Sequence, residues 1–139
     1  IEAIFMDYEP LREWANKASP FMMHNGILIT DVADGCATAS ADLGRLSLNP
    51  YGAAHGGFLF TMADCATGVA VHTDGRHYVT LNSSLNFMRM AKDGTVTADA
   101  RVVKRGQSVS VADVVITCCG QEVATGTFTY FCLDAQAGK

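Results

Sequence analysis

From Gly56 to His72 the chain runs Gly-Gly-Phe-Leu-Phe-Thr-Met-Ala-Asp-Cys-Ala-Thr-Gly-Val-Ala-Val-His, an apolar stretch whose one charged residue is Asp64. Its Ala, Leu, Met, Phe and Val residues lie on all sides rather than along one 3.6-residue stripe, so the segment predicts a helix buried on most faces. Such a helix needs a sheet large enough to wrap it. The remaining sequence supplies strands. Gly26–Ala33 and Cys36–Leu43 flank Asp34-Gly35, a strong hairpin signal. Four further runs, His77–Met88, Thr95–Val103, Ser108–Cys118 and Glu122–Cys132, are punctuated by Asp93-Gly94, Arg105-Gly106 and Gly120, and read as a four-strand antiparallel meander. The fold class expected is α+β: a curved antiparallel sheet of about six strands around one long central helix.

At 139 residues the chain fits one domain. Residues 1–8 form an apolar lead-in, and Glu9–Lys17, with Leu11, Trp14, Ala15 and Ala18 on one side, reads as a short helix stopped by Ser19-Pro20. Residues 134–139 read as a frayed tail, and Arg45–Ala54 as a loop.

A lone carboxylate inside an apolar helix is costly unless it is used, which makes Asp64 the first candidate for chemistry. It reads as a buried structural group, a general base activating water, or a nucleophile. At the helix start the Gly56 and Gly57 amides lack intrahelical partners, and the helix dipole adds positive character there, an arrangement able to polarise a carbonyl. Asp64 lies eight residues beyond Gly56, about 12 Å along the axis, whereas reacting groups must converge to about 3–3.5 Å. Two antiparallel copies of the helix across a two-fold axis bring each Asp64 opposite the partner's Gly56, so a shared dimer interface is expected. His55 reads as an acid, a base or a loop anchor. Asn49 reads as a turn former beside Pro50 or as a second carbonyl donor. Thr80 reads as ordinary strand composition or as a hydroxyl holding water against Asp64.

The net charge of −4 and the absence of a dense basic run argue against a nucleic-acid surface. Lys104 and Arg105 form a local basic pair suited to a small anion. The five cysteines are odd in number and show neither Cys-x-x-Cys nor metal-ligand spacing, so reduced thiols and a cytoplasmic location are expected, with no metal. Cys118 and Cys119, if both lie in a strand, point to opposite faces. No secretory leader is visible, and the apolar run Phe58–Val71 is too short to span a bilayer. There is no Gly-x-Ser-x-Gly elbow, phosphate loop, dinucleotide fingerprint or zinc-protease motif.

Asn49, Gly52, His55-Gly56-Gly57, Phe60 and Met62-Ala63-Asp64 together resemble the signature of the PaaI-type (phenylacetic acid degradation) hotdog-fold acyl-CoA thioesterases. The resemblance runs from Pro20–Gly26 through the Asp34-Gly35 hairpin to the last strands. It implies hydrolysis of an acyl-CoA to free acid and CoA, with no metal or redox cofactor. It further implies that Gly56 polarises the thioester carbonyl with help from Asn49, and that Asp64 arrives from the opposite subunit as base or nucleophile. Thr80 takes the place of a water-positioning hydroxyl that is Ser in some relatives. Lys104, Arg105, Gln107 and Ser108, with Arg89 and the Gly57 amide, are the implied contacts to substrate and CoA. Dimers that pair into tetramers are implied too. A catalytically silent acyl-CoA-binding domain, acting as a sensor or regulator, is the alternative; a hotdog dehydratase would need an Asp/His pair in a differently spaced loop. Phe58, Phe60, Met62, Met88 and Met90 are candidates to shape an acyl pocket, aryl or medium-chain, or to be core.

Overall fold

The computed structural model describes residues 7–134, so the lead-in over residues 1–6 and the tail over 135–139 lie outside the described residues. The elements are α1 (Glu9–Ala18), α2 (Pro20–His24), β1 (Leu28–Ala33), β2 (Cys36–Asp42), α3 (Gly56–His72), β3 (Tyr78–Phe87), β4 (Thr95–Arg105), β5 (Val109–Cys118) and β6 (Gln121–Cys132). The strands form one antiparallel six-stranded sheet in the order β1-β2-β4-β5-β6-β3.

Helix α3 packs against all six strands, as its all-round apolar composition requires. Small residues make the close approach possible. Ala63, Ala66 and Ala70 of the helix are buried without residual exposure, and they face a sheet whose inward positions include Ala37, Ala39, Ala98, Ala100 and Ala112. Larger inward residues, Ile29, Val96, Val114, Ile116 and Phe128, fill the remaining core. Inward and outward positions alternate along β2, β4 and β5, the period of a sheet with one buried face. Among the described residues no helix is long and apolar enough to cross a membrane.

The four-strand meander is corrected. β4, β5 and β6 follow one another in the sheet, but β3 pairs with β6 rather than with β4. The β1–β2 hairpin leaves one side of β2 open, and β4 takes it, so β3 pairs at the far end of the sheet. Asp93-Gly94 therefore closes a crossover instead of a hairpin, and its Gly94 carbonyl accepts from Leu43 N–H at 2.9 Å, beside β2. Ser19-Pro20 does end α1, but Pro20 also opens α2 at a position where a missing N–H costs nothing, and Ser19 Oγ accepts from Met22 N–H at 3.3 Å. The loop over Arg45–Ala54 contains a 3-10 turn at Arg45–Ser47. Asp134, assigned to the tail, instead accepts from His77 N–H at 3.1 Å.

The two sheet edges differ. On β1, Asn16 of α1 donates through Nδ2 to Ile29 O at 2.9 Å and accepts from Ile29 N–H at 2.8 Å, so the outer edge is already satisfied there. On β3 the outer edge has no strand beside it among the described residues, and Val79, Leu81 and Phe87 are 48%, 58% and 54% exposed. An exposed apolar edge is a template for another strand.

The last turn of α3 is closed by a side chain the sequence placed elsewhere. Arg105, expected to meet CoA phosphates, folds its guanidinium back to donate to Val71 O at 2.7 Å and to Thr73 Oγ1 at 3.1 Å, with Asp74 at 3.2 Å. A cation at a helix C-terminus satisfies free carbonyls and complements the dipole. Burial opposes the charge on Asp74, yet hydrogen bonds from Tyr78 and Arg76 and the nearby Arg105 hold its carboxyl below its ordinary value. Arg105→Ala is expected to lower stability by about 1–3 kcal/mol through loss of charged hydrogen bonds. Urea unfolding of the wild type and the variant measures it.

Candidate active site

The loop before α3 is pinned backbone group by backbone group. Ala54 N–H donates to Ala91 O at 2.7 Å and His55 N–H to Ser47 O at 2.8 Å. Asn49 uses its own N–H on Ala53 O, its C=O on Gly52 N–H, and its Oδ1 on the Tyr51 and Ala53 amides at 2.9 and 3.1 Å. Two backbone donors fix which side-chain atom is oxygen. The Asn49 Nδ2 is left with no acceptor among the described residues, so both sequence readings of Asn49, turn former and donor, fit one rotamer.

His55 caps α3. Its Nδ1 accepts from Gly57 N–H at 2.9 Å, and its C=O takes the Phe58 and Leu59 amides. This is the anchor role among the readings of His55, and it commits the Gly57 amide. A Cβ at position 57 would sit 3.1 Å from that ring nitrogen, tighter than ordinary packing, so a side chain there would press on the His55 cap. Among the described residues, the Gly56 N–H is the one amide at the helix start without an acceptor. Gly56, Asn49, Leu59, Phe87, Arg89 and Met90 line one open cleft of about 310 Å³.

Asp64 opens into a second cleft, of about 380 Å³, together with Thr80, Tyr130, Trp14, Met22 and Val79. Its half-buried carboxylate is held through one oxygen. Thr80 Oγ1 donates to Oδ1 at 2.7 Å and Tyr130 OH approaches the same atom at 2.9 Å, while Oδ2 has no protein partner among the described residues. Thr67, one turn on, touches Tyr130 OH at 2.7 Å. Burial above all, and then the charge of Asp64, push the Tyr130 phenol well above its ordinary value, so it stays a donor.

The structure thus brings Asn49, Gly56 and Arg89 together, and Asp64 with Thr80, but in different clefts. Lys104, Arg105, Gln107 and Ser108 line neither; the Gly106 and Gln107 carbonyls of that turn accept from Arg76 at 2.9 Å. Phe58 and Met62 are core, Phe60 packs on Phe128 with ring centroids 5.1 Å apart, and Met88 and Met90 lie with the Gly56 cleft. Sequence reasoning missed Tyr130, Thr67 and the apolar wall of Trp14 and Met22. One signal was available for Tyr130. It shares the inward face of β6 with Phe128 and Cys132, and a buried phenol needs a partner. Cys118 and Cys119 do not point apart: β5 ends at Cys118, Cys119 turns with φ +54°, and the sulfurs lie 3.8 Å apart. Among the described residues no three His, Cys, Asp or Glu side chains are grouped to hold a metal.

A family model described as Thioesterase superfamily matches residues 51–125. The chain is 33% identical over 92 residues to the acyl-coenzyme A thioesterase PaaI of Escherichia coli (strain K12), an alignment spanning 66% of each chain and so just under two thirds of that relative. Among solved structures, a mutant of the phenylacetic acid degradation protein PaaI from Thermus thermophilus superposes with a TM-score of 0.78 at 32% identity, over 81% of this chain and 98% of that one. A hypothetical thioesterase protein from Streptococcus pneumoniae, solved with coenzyme A, gives 0.73 at 38% identity, over 76% and 84%. Two mutants of that protein replace an aspartate and a threonine with alanine, and those two positions are separated by as many residues as Asp64 and Thr80.

Beside Asp64, burial and then the carboxylate charge push the Cys65 thiol up to about 12, which leaves almost no thiolate near neutral pH. Iodoacetamide at pH 8 is expected to label the exposed Cys119 well before Cys65. Peptide mass mapping over time measures the order.

Proposed function

Since the chain belongs to the thioesterase superfamily, we propose that it hydrolyses acyl-CoA thioesters at a site completed by two copies of itself. The observation that carries this reading is the division of the chemistry. Among the described residues, one cleft holds two carbonyl donors without acceptors, Gly56 N–H and Asn49 Nδ2, and the other holds a carboxylate with one oxygen unpartnered. Eight residues of helix keep them about 12 Å apart within a chain. Antiparallel apposition of two α3 helices brings each carboxylate to the other copy's donors. The open β3 edge, with Val79, Leu81 and Phe87 exposed, supplies the surface for it, whereas α1 already satisfies Ile29 on the β1 edge.

In such a site the thioester oxygen lies against the Gly56 amide, where the helix dipole favours the negative charge that develops on attack. Asn49 Nδ2 adds a second donor. Asp64 of the other copy takes a proton from water, which adds to the carbonyl carbon; collapse of the tetrahedral intermediate expels the CoA thiolate. Direct attack by the carboxylate, through an anhydride that water then opens, uses the same geometry. Thr80 holds the carboxylate and keeps lone pairs for a water proton. Arg89, beside Gly56 in the same cleft, suits the CoA phosphates. The apolar wall next to Asp64, formed by Trp14, Met22, Val69 and Val79, suits an aryl or medium-chain acyl group. The relative solved with coenzyme A and the matched Asp–Thr separation support this reading.

Free-thiol release from a panel of acyl-CoAs tests it, with Asp64→Asn and Asn49→Asp as the decisive variants. Asn49→Asp keeps the acceptor that the Tyr51 and Ala53 amides need, while it removes the NH2 donor and puts a negative charge where the oxyanion develops. Each variant is expected to fold and to lose at least about a hundred-fold in kcat, the scale of removing a base or an oxyanion donor. Turnover near wild type in a folded Asp64→Asn would refute the assignment.

A further inference from the structure

Deepening that thioesterase reading, and resting on it, we propose that Tyr130 is a positioning residue: with Thr80 it grips Asp64 by Oδ1, so that Oδ2 is the oxygen presented to the reacting water or carbonyl carbon. The argument is one of counting protons. Tyr130 OH carries a single proton and stands 2.7 Å from Thr67 Oγ1, 2.8 Å from Asp64 O and 2.9 Å from Asp64 Oδ1. Thr67 sends its own proton to Ala63 O at 2.7 Å, which satisfies the threonine as a donor. Of the acceptors left to Tyr130, the carboxylate alone is charged, and charge-assisted bonds are the stronger ones. With one proton to give, the phenol is best directed at Oδ1, and Thr67 packs against its oxygen without taking that proton.

Thr80 donates to that same atom from strand β3, and Tyr130, its directly opposed neighbour in the pairing of β3 with β6, reaches it from β6. Two donors from two paired strands hold Oδ1 in place and restrict how the carboxylate can turn. The ring of Tyr130 is 2% exposed, inward on β6 beside Phe128, so the hydroxyl is itself fixed by packing. Burial also keeps the phenol protonated throughout the range in which a carboxylate acts as base. A group that must meet a carbonyl within a few tenths of an ångström gains from this in the rate of the chemical step more than in substrate affinity.

Tyr130→Phe keeps the ring and deletes the hydroxyl. With the full chain and an acyl-CoA that the wild type hydrolyses, kcat is expected to fall about ten- to a hundred-fold, the loss of one charge-assisted hydrogen bond, while KM stays within about three-fold. Wild-type kcat in the folded variant, or a rise in KM at constant kcat, overturns the proposal. A second measurement does not depend on that variant folding. In protein labelled with 13C at the tyrosine ring carbon bearing the hydroxyl, the Tyr130 resonance is expected to move on Asp64→Asn, and an unmoved resonance overturns the proposal. Retained turnover in Asp64→Asn sinks the thioesterase assignment itself, whereas a dead Asp64→Asn with a fully active Tyr130→Phe sinks this inference alone.

Discussion

A helix cannot be shortened, and α3 fixes the distance between its first free amide and its one carboxylate at about 12 Å. Everything around it follows from satisfying those two groups separately. At the start of α3, Asn49 and His55 commit their acceptors to backbone amides, so the loop is rigid and the two groups left over, Gly56 N–H and Asn49 Nδ2, are both donors. Halfway along, Asp64 is bound from the sheet by Thr80 and Tyr130, a carboxylate supported on one oxygen and open on the other. At the end, Arg105 closes the carbonyls. The helix is a ruler, and the sheet holds its marks in place.

The proposed geometry fits the difference between the two sheet edges, one satisfied by Asn16 and one open. In the proposed site, two half-sites that cannot meet within one chain meet across two copies, and β3, the strand that carries Thr80, pairs with β6 on one side and is open on the other among the described residues. Val79 and Leu81 flank Thr80 on that edge and are exposed. Covering them with a second copy would bury apolar surface and bring two α3 helices side by side, so the energetic reason for association and the chemical reason for it fall on the same strand.

Much of the fold was legible in the sequence, and the failures have physical causes. The limits of α3 were readable because an apolar run with a single charge, opening on Gly56-Gly57 and followed soon by Asp74-Gly75, has few alternatives. The place of β3 was not, because turn residues report local backbone shape and say nothing of which open edge a strand will find. Arg105 read as a free cation because a sequence places a Cα, whereas its guanidinium reaches several ångströms back to Val71 O. Tyr130 was hidden for the reverse reason: alternation along β6 points it inward, but only the relative placement of β6 and α3 shows that it meets Asp64. Pro20 was read as a stop when the same chemistry also makes it a start.

Subunit complementation tests the shared site most directly. Asp64→Ala and Asn49→Asp chains, each inactive alone, are unfolded together and refolded. Half of the dimers formed are then mixed, and each mixed dimer holds one site with both Asn49 and Asp64 intact, so about a quarter of wild-type turnover is expected to return. A mixture as inactive as its two parents would place the donors and the carboxylate of each site in the same chain and contradict the account.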